Sequence, residues 1–285
     1  LWAQSIEAAI RDGRHFTGSK AKKHTLTNLL KRFLEHPSLQ EKTRTNYQPQ
    51  LTWWSNQLGS KVLADITPDT IAKQRDKLIN KGYSPSSANR YVAALSSAFG
   101  MAVREFGWLE VNPCAKLRKL PEPRGRVRYL SDEERACLLK VCEESGSCEL
   151  HILVVLALST GARKNELRWL TWNDVDLNRK FLCFRDTKNK EVRSTPLDGR
   201  GLELLRERSK VRRLDTSLVF PGKNPEHPVN LEKSWRSVLK TAGIEDFRFH
   251  DLRHSAASYL VMNGVPLRSV AEILGHKTLA MVFRY

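Results

Sequence analysis

What this chain of 285 residues lacks narrows its chemistry before anything it contains is weighed. Acidic residues are scarce: 31 Asp and Glu face 48 Lys and Arg, a formal net charge of +17. Such a balance does not define a fold, but it favours a polyanionic partner, because neutralised phosphates release condensed counterions. An anionic membrane surface would suit the charge equally well. Long hydrophobic runs are missing too. The longest uninterrupted one, 152–158, falls far short of the ~20 residues that span a bilayer. Glu7 and Asp12 interrupt any stretch that would serve as a signal peptide. The five cysteines, at 114, 137, 142, 148 and 183, are odd in number and include no Cys-x-x-Cys pair, which fits reduced thiols in an intracellular protein and argues against structural zinc. There is no Gly-x-x-x-x-Gly-Lys loop for a nucleotide and no Gly-x-Ser-x-Gly elbow. His250 and His254 lie one helical turn apart, but Asp251 stands where a zincin has glutamate, and no third ligand is evident. Asp174 and Asp176 read as a turn after Trp172 rather than as part of a metal-binding carboxylate cluster. No metal and no cofactor is expected, and no membrane partner.

What is present divides into a helical half and a mixed half. Residues 1–20 read as one helix and linker, with Trp2, Ile6, Ala9 and Ile10 at helical spacing and Gly13 as a stop. With so little to pack against, this helix is expected to belong to a module preceding Leu1. Residues 21–110 read as a small helical domain. Leu26, Leu29, Leu30, Phe33 and Leu34 form one stripe; Tyr47, Leu51, Trp54 and Leu58 form a second, whose start Pro49 obscures. Thr67-Pro68 and Ser84-Pro85 each announce a helix with a cap followed by proline at the first turn. Asn89 and Arg90 fall beside the apolar stripe of the last helix and are candidates for contacting DNA. Residues 111–128 read as a connector between domains, since Pro113, Pro121 and Pro123 forbid regular structure. Its cations Lys116, Arg118, Lys119, Arg124, Arg126 and Arg128 are candidates for following a phosphate backbone, so that two domains clamp opposite sides of a duplex.

The second domain, 129–285, opens at Ser131 with a capping-box pattern ending in Glu134. A helix around 152–158, apolar all round, is expected at its centre. Residues 181–184 and 191–195 read as two strands joined by a turn at 186–190. The fold class is therefore mostly α with a small antiparallel β-sheet in the second domain, an α+β arrangement.

Five short motifs of this half, carrying six candidate residues, occur in a telling order: Thr-Gly-Ala-Arg at 160–163 with Glu166 following, Thr-Lys at 187–188, His-Asp-Leu-Arg at 250–253, Leu-Gly-His at 274–276, and Tyr285 nine residues beyond His276. None is rare alone. A lone Arg163 would most simply pair with Glu166, Lys188 would be a turn lysine with Lys190 as its rival, and Tyr285 an ordinary aromatic. Together and in this order, they resemble the catalytic domain of the tyrosine recombinases, the phage-integrase family. The likeness extends over 21–285, because the helical half is similar to the family's core-binding domain. Residues 1–20 are similar to the helix leaving an arm-binding domain.

The resemblance implies that Arg163, Lys188, His250, Arg253, His276 and Tyr285 form the catalytic set. Each role also makes chemical sense. In-line attack on a phosphodiester adds charge to its equatorial oxygens, and the rigid donor forks of Arg163 and Arg253 suit them better than lysine would. A tyrosine hydroxyl, with its pKa near ~10, must shed its proton during attack. His250 is placed by the motif as base or hydrogen-bonding partner, and His276 as a donor to a phosphate oxygen. The resemblance assigns protonation of the departing 5′ oxygen to Lys188. Glu166 would fix Arg163 or His250 and is support rather than catalyst.

The implied function is site-specific recombination by a phage or mobile-element enzyme. Tyr285 would form a 3′-phosphotyrosyl link that stores the bond energy, so ATP and metal are unnecessary. The implied partners are double-stranded DNA bearing an attachment site and a homotetramer that passes through a Holliday junction, with accessory DNA-bending or directionality proteins. The implied location is the cytoplasm, on the nucleoid. Two rivals stand beside it. A type IB topoisomerase-like enzyme shares the chemistry, and a DNA-binding protein with the same fold could have lost it. Family members continue past the tyrosine, so further chain is expected beyond Tyr285.

Overall fold

Three helices in the first half begin where a side chain can take up their orphan N–H groups. Thr25 accepts from the Asn28 N–H while the Asn28 carboxamide accepts from the Thr25 N–H, opening α1 (Leu26–Leu34) with a reciprocal cap. Thr67 and Ser84 do the same service for α3 (Pro68–Asn80) and α4 (Pro85–Arg104), each with proline as first residue. The starts at Thr67 and Ser84 agree with the sequence. The computed structural model describes every residue except 1–19, 124, 125, 127, 186–191, 277, 284 and 285, and the side chain of Ala280. The expected N-terminal helix and the 186–190 turn thus lie outside the described residues.

The remaining helix, α2 (Glu41–Leu58), runs straight through Pro49. An interior proline costs about 3 kcal/mol or more. Against this, Leu51, Trp54 and Leu58 are buried on one face, at about 1.5–3 kcal/mol for each such side chain. The Trp54 indole N–H also donates to the Tyr91 carbonyl of α4 at 2.8 Å. Packing wins.

The chain divides into two compact units, Leu1–Arg124 and Gly125–Tyr285. In the first, the small residues Ala88, Ala94, Ala98 and Ala102 leave α4 slim enough to pack on all three other helices, around Trp54 and Phe99. Residues 112–122 are bonded onto this unit. Asn112 donates to the Ser96 carbonyl at 3.0 Å, and Cys114 is buried. Asn89 behaves like a strand neighbour: its amide donates to the Leu120 carbonyl at 2.9 Å, and its oxygen accepts from the Leu120 N–H at 3.0 Å.

In the second unit, Ser131 and Glu134 form the anticipated capping box of α5 (Asp132–Glu144). The apolar helix α6 (Cys148–Thr160) lies at the centre, packed by α5, α7 (Lys164–Arg168), α8 (Gly199–Lys210) and α10 (Asp251–Met262). Leu150, Leu153, Val154 and Leu156 are fully enclosed, as is Cys142 of α5. Helices α9 (Glu232–Thr241) and α11 (Leu267–Leu274) complete the helical part. The antiparallel sheet has three strands rather than two: β1 (Val175–Asp176), β2 (Phe181–Phe184) and β3 (Arg193–Pro196), with Phe184 opposite Arg193. Asp176 both pairs in β1 and accepts the N–H groups of Asn178 and Arg179, so the turn expected there is a hairpin. Burial pushes the thiols of Cys114 and Cys142 up to about 12.

Replacing Asn89 by Ala removes two backbone bonds and one to Glu122, leaving the half-buried N–H and carbonyl of Leu120 without this partner. It is expected to destabilise the first unit by about 1–3 kcal/mol, seen as a lower urea midpoint. An unchanged midpoint would mean that the 112–122 segment is not held by this side chain.

Candidate active site

The site is built at the end of α11. An α-helix leaves its last four carbonyls without helical partners. Here Gly275, at φ +63°, turns the chain so that the His276 N–H bonds Ala271 O at 2.8 Å and the Gly275 N–H bonds Glu272 O at 3.0 Å, a Schellman closure. The other two carbonyls are taken by arginines. Arg193 of β3 donates to Ile273 O at 2.6 Å, and Arg253 of α10 donates to Leu274 O at 2.5 Å. Both cations also suit the negative end of the helix dipole.

Arg253 reaches two ways. Its second nitrogen donates to Gly161 O at 2.8 Å, at the turn that leads into Arg163. Gly161 has φ +61°, and an added Cβ would come within 2.3 Å of a Leu274 methyl, so the turn tolerates nothing larger. One buried guanidinium thus ties the segment before Arg163 to the segment before His276.

Arg163 sits at the start of α7. Glu166 accepts its N–H at 2.9 Å and its guanidinium at 2.5 Å. The Glu166 carboxylate is 6% exposed and also takes Arg193 at 2.9 Å, whose own side chain is 9% exposed. Glu166, expected to fix Arg163 or His250, is bonded to two arginines, Arg163 and Arg193. Arg193 was not anticipated. The signal available was its inward place in β3, where Arg193 and Thr195 are buried and Ser194 is exposed.

His250 immediately precedes α10 and is exposed at one edge, with its ring 5.3 Å from that of His254. Burial, and then the charge of Arg253, lower its pKa below the ordinary 6.5; Arg163 acts in the same direction, Asp251 and Glu166 in the opposite one. His250 is therefore neutral near pH 7 and able to accept a proton. Its neighbour Asp251 is buried and paired with Arg126 at 2.7 Å. His254 is largely buried on the same helix. His276 is half-buried, and beyond it Val282 is fully enclosed with Val270, Ala271 and Leu274. Lys188 and Tyr285 lie outside the described residues.

The DNA candidates divide. Arg90, Lys116, Arg118 and Lys119 are exposed. Asn89 is taken up by Leu120 and Glu122, Arg126 by Asp246 and Asp251, and Arg128 by a two-pronged pair with Glu134 at 2.9 and 2.5 Å. Proline spacing and charge gave no sign of the acidic partners of Arg126, because Asp246 and Asp251 are more than a hundred residues away in the chain. Arg124 lies outside the described residues.

Two guanidinium groups and two imidazoles on mutually bonded segments make an arrangement able to hold an anion such as a phosphodiester and to exchange protons beside it. The sequence profile described as the phage integrase family matches residues 128–285, and that of the phage integrase N-terminal domain matches 22–121. The chain belongs to the phage integrase family of tyrosine recombinases. It is 31% identical over 208 residues to the integrase of Salmonella phage P22, covering 68% of this chain and 52% of that protein. This chain therefore spans about half the length of that relative. Among solved structures, the Tn1549 transposon integrase in complex with circular-intermediate DNA aligns at TM-score 0.77 and 17% identity, over 92% of this chain and 94% of that one. A lambda integrase dimer bound to a core site aligns at 0.72 and 24%, over 90% and 97%. At these identities the structures establish the fold, mostly helical with one small antiparallel sheet.

The lowered pKa of His250 sets a pH dependence. Between its folded value and 6.5 the unfolded chain binds more protons. This contribution to stability is complete above pH 6.5 and is lost as pH falls through the folded value. NMR titration of the His250 ring is expected to give a midpoint below 6.5, and His250→Gln is expected to flatten the acid limb of the urea midpoint. A midpoint at or above 6.5 would mean that neither desolvation by neighbouring groups nor the charge of Arg253 acts on the ring in the folded chain.

Proposed function

We propose that this chain carries the core-binding and catalytic parts of a site-specific DNA recombinase of a phage or mobile element. The observation that carries the proposal is the pair of bonds from Arg253 to Gly161 O and Leu274 O, which hold the Arg163 and His276 segments beside the His250–Arg253 motif. In this reading, Arg163 and Arg253 grip the scissile phosphate and His276 donates to one of its oxygens. His250, neutral near pH 7, accepts or orients the proton of Tyr285. The Tyr285 oxygen bonds to phosphorus, the bond to the 5′ oxygen breaks, and Lys188 supplies the proton that the departing oxygen needs. The phosphotyrosyl link conserves the bond energy, so the free 5′-hydroxyl of a partner duplex can reverse the step without ATP.

The exposed Arg90, Lys116, Arg118 and Lys119 supply phosphate contacts for the helical unit, while Asn89, Arg126 and Arg128 act mainly within the fold. Residues 21–110 form the core-binding domain, 111–128 the connection and 129–285 the catalytic domain. Strand exchange would proceed in a homotetramer, an arrangement supported by the lambda integrase tetramer solved on a Holliday junction. No described helix is long and apolar enough to cross a membrane, in keeping with work on the nucleoid. Accessory bending or directionality proteins remain part of the same reading.

The test is a suicide substrate carrying the attachment site, incubated with the full-length protein. A covalent adduct is expected, and Tyr285→Phe should abolish it. Failure to form an adduct under conditions of stable duplex binding would favour a silent DNA-binding protein. Relaxation of supercoiled DNA by the monomer, without strand exchange, would favour the topoisomerase-like reading. Arg163→Ala should abolish cleavage while duplex affinity stays within about threefold, because many other cations hold the backbone. Equal loss of both would make Arg163 structural.

A further inference from the structure

We propose that Arg193 is a positioning residue of the recombination site, setting Arg163 through Glu166 and the His276 turn through the end of α11. The inference rests on the recombinase reading above. Its basis is a buried cation whose contacts all lead toward the site. One Arg193 nitrogen pairs with Glu166 at 2.9 Å, and the other oxygen of that carboxylate holds the Arg163 guanidinium at 2.5 Å. The second Arg193 nitrogen donates to Ile273 O at 2.6 Å, three residues before His276. The aliphatic stem runs under Gly275, where an added Cβ would sit 3.1 Å from the Arg193 Cδ. The face of Phe184 lies 4.9 Å from the guanidinium carbon and fixes the remaining side.

This environment is costly unless the geometry serves something. A buried ion pair rarely stabilises a fold more than a well-packed apolar pair would. Here a charged fork occupies an inward position of a short strand, where Val or Ile would ordinarily sit. The fork does what an apolar residue cannot: it bonds a carboxylate on one side and a helix-end carbonyl on the other, at a fixed angle. Both acceptors lie directly behind residues that would touch the phosphate. Lysine, with a single ammonium centre, cannot reproduce that angle. Arg193 itself is nine-tenths buried, and its two terminal nitrogens are taken by Glu166 and Ile273 O. It acts through Arg163 and the His276 turn.

The distinction between positioning and plain structure can be read from the charge of the substrate. In cleavage, the Tyr285 oxygen bonds to phosphorus and the 5′ oxygen departs with a proton, while negative charge on the non-bridging oxygens is met by arginine. If a methyl group replaces one of those oxygens, the phosphate is neutral and a correctly set Arg163 matters less. Arg193→Gln is expected to slow adduct formation on ordinary DNA on the order of 10²-fold, the scale of a ~1 Å misplacement. Its duplex affinity should stay within about threefold. Arg193→Lys should not restore the rate. On methylphosphonate DNA the deficit of Arg193→Gln should shrink markedly, in parallel with that of Arg163→Ala. If Arg193→Gln does not fold, Glu166→Gln, which keeps the shape of the shared carboxylate, should show the same substrate-dependent deficit. Equal slowing on both DNAs would overturn the inference in favour of a merely structural arginine, and so would undiminished cleavage by the variant. Absence of adduct from the unsubstituted protein on either DNA would overturn the recombinase reading and this inference with it.

Discussion

Four carbonyls at the end of α11 organise the candidate site in the second unit of this protein. A helix that stops inside a fold must find partners for them or lose about 1–3 kcal/mol for each one buried and unmet. Two are met locally, by the turn at Gly275. The other two are met from a distance, by Arg193 on a strand and Arg253 on another helix. Because those arginines also bond Glu166 and Gly161 O, satisfying one helix end brings residues 161–166, 193, 253 and 276 into a single bonded group. Local backbone chemistry thus becomes the scaffold of the candidate site.

The charges in this group explain its rigidity. Glu166 is a single carboxylate between two guanidinium groups, and in a buried setting it cannot leave either without exposing an uncompensated charge. Burial lowers the pKa of Arg193, with Glu166 opposing that effect and Arg163 adding to it. The cluster keeps an excess of positive charge even though its acid is fully used. Such an excess is disfavoured on its own and would be relieved by any anion lying against it, the general logic of preorganised electrostatic sites.

Much of this was legible in the sequence, for identifiable reasons. Thr67, Ser84 and Ser131 mark helix starts because capping depends on residues three apart. The 152–158 run marks a central helix because nothing polar offers it a solvent face. The catalytic pattern was legible as order and spacing along the chain, and Glu166 as a companion of Arg163. What stayed hidden depends on long-range pairing. Val175 and Asp176 form a strand only because β2 folds back on them. Asn89 looks like a solvent-facing helix residue until Leu120 is laid beside it. Arg126 and Arg128 look like phosphate ligands until Asp251 and Glu134 are found opposite them. Pro49 looks like a helix boundary until the burial of Leu51, Trp54 and Leu58 is counted. In Arg193 the pattern did carry a warning, a charge at an inward strand position.

The buried cysteines have a consequence of another kind. Cys114 is enclosed in the first unit and Cys142 in the second, and each thiol is pushed up to about 12. Alkylating reagents attack the thiolate, so neither sulfur reacts until its surroundings open. Cys137 and Cys148, which are exposed, react without any opening. The chain therefore contains two internal clocks and two references. The rate at which Cys114 is modified reports opening of the helical unit, and the rate at Cys142 reports opening of the unit that holds the site. Timed alkylation followed by digestion and mass analysis of the peptides carrying Cys114 and Cys142 would separate the breathing of one half from that of the other.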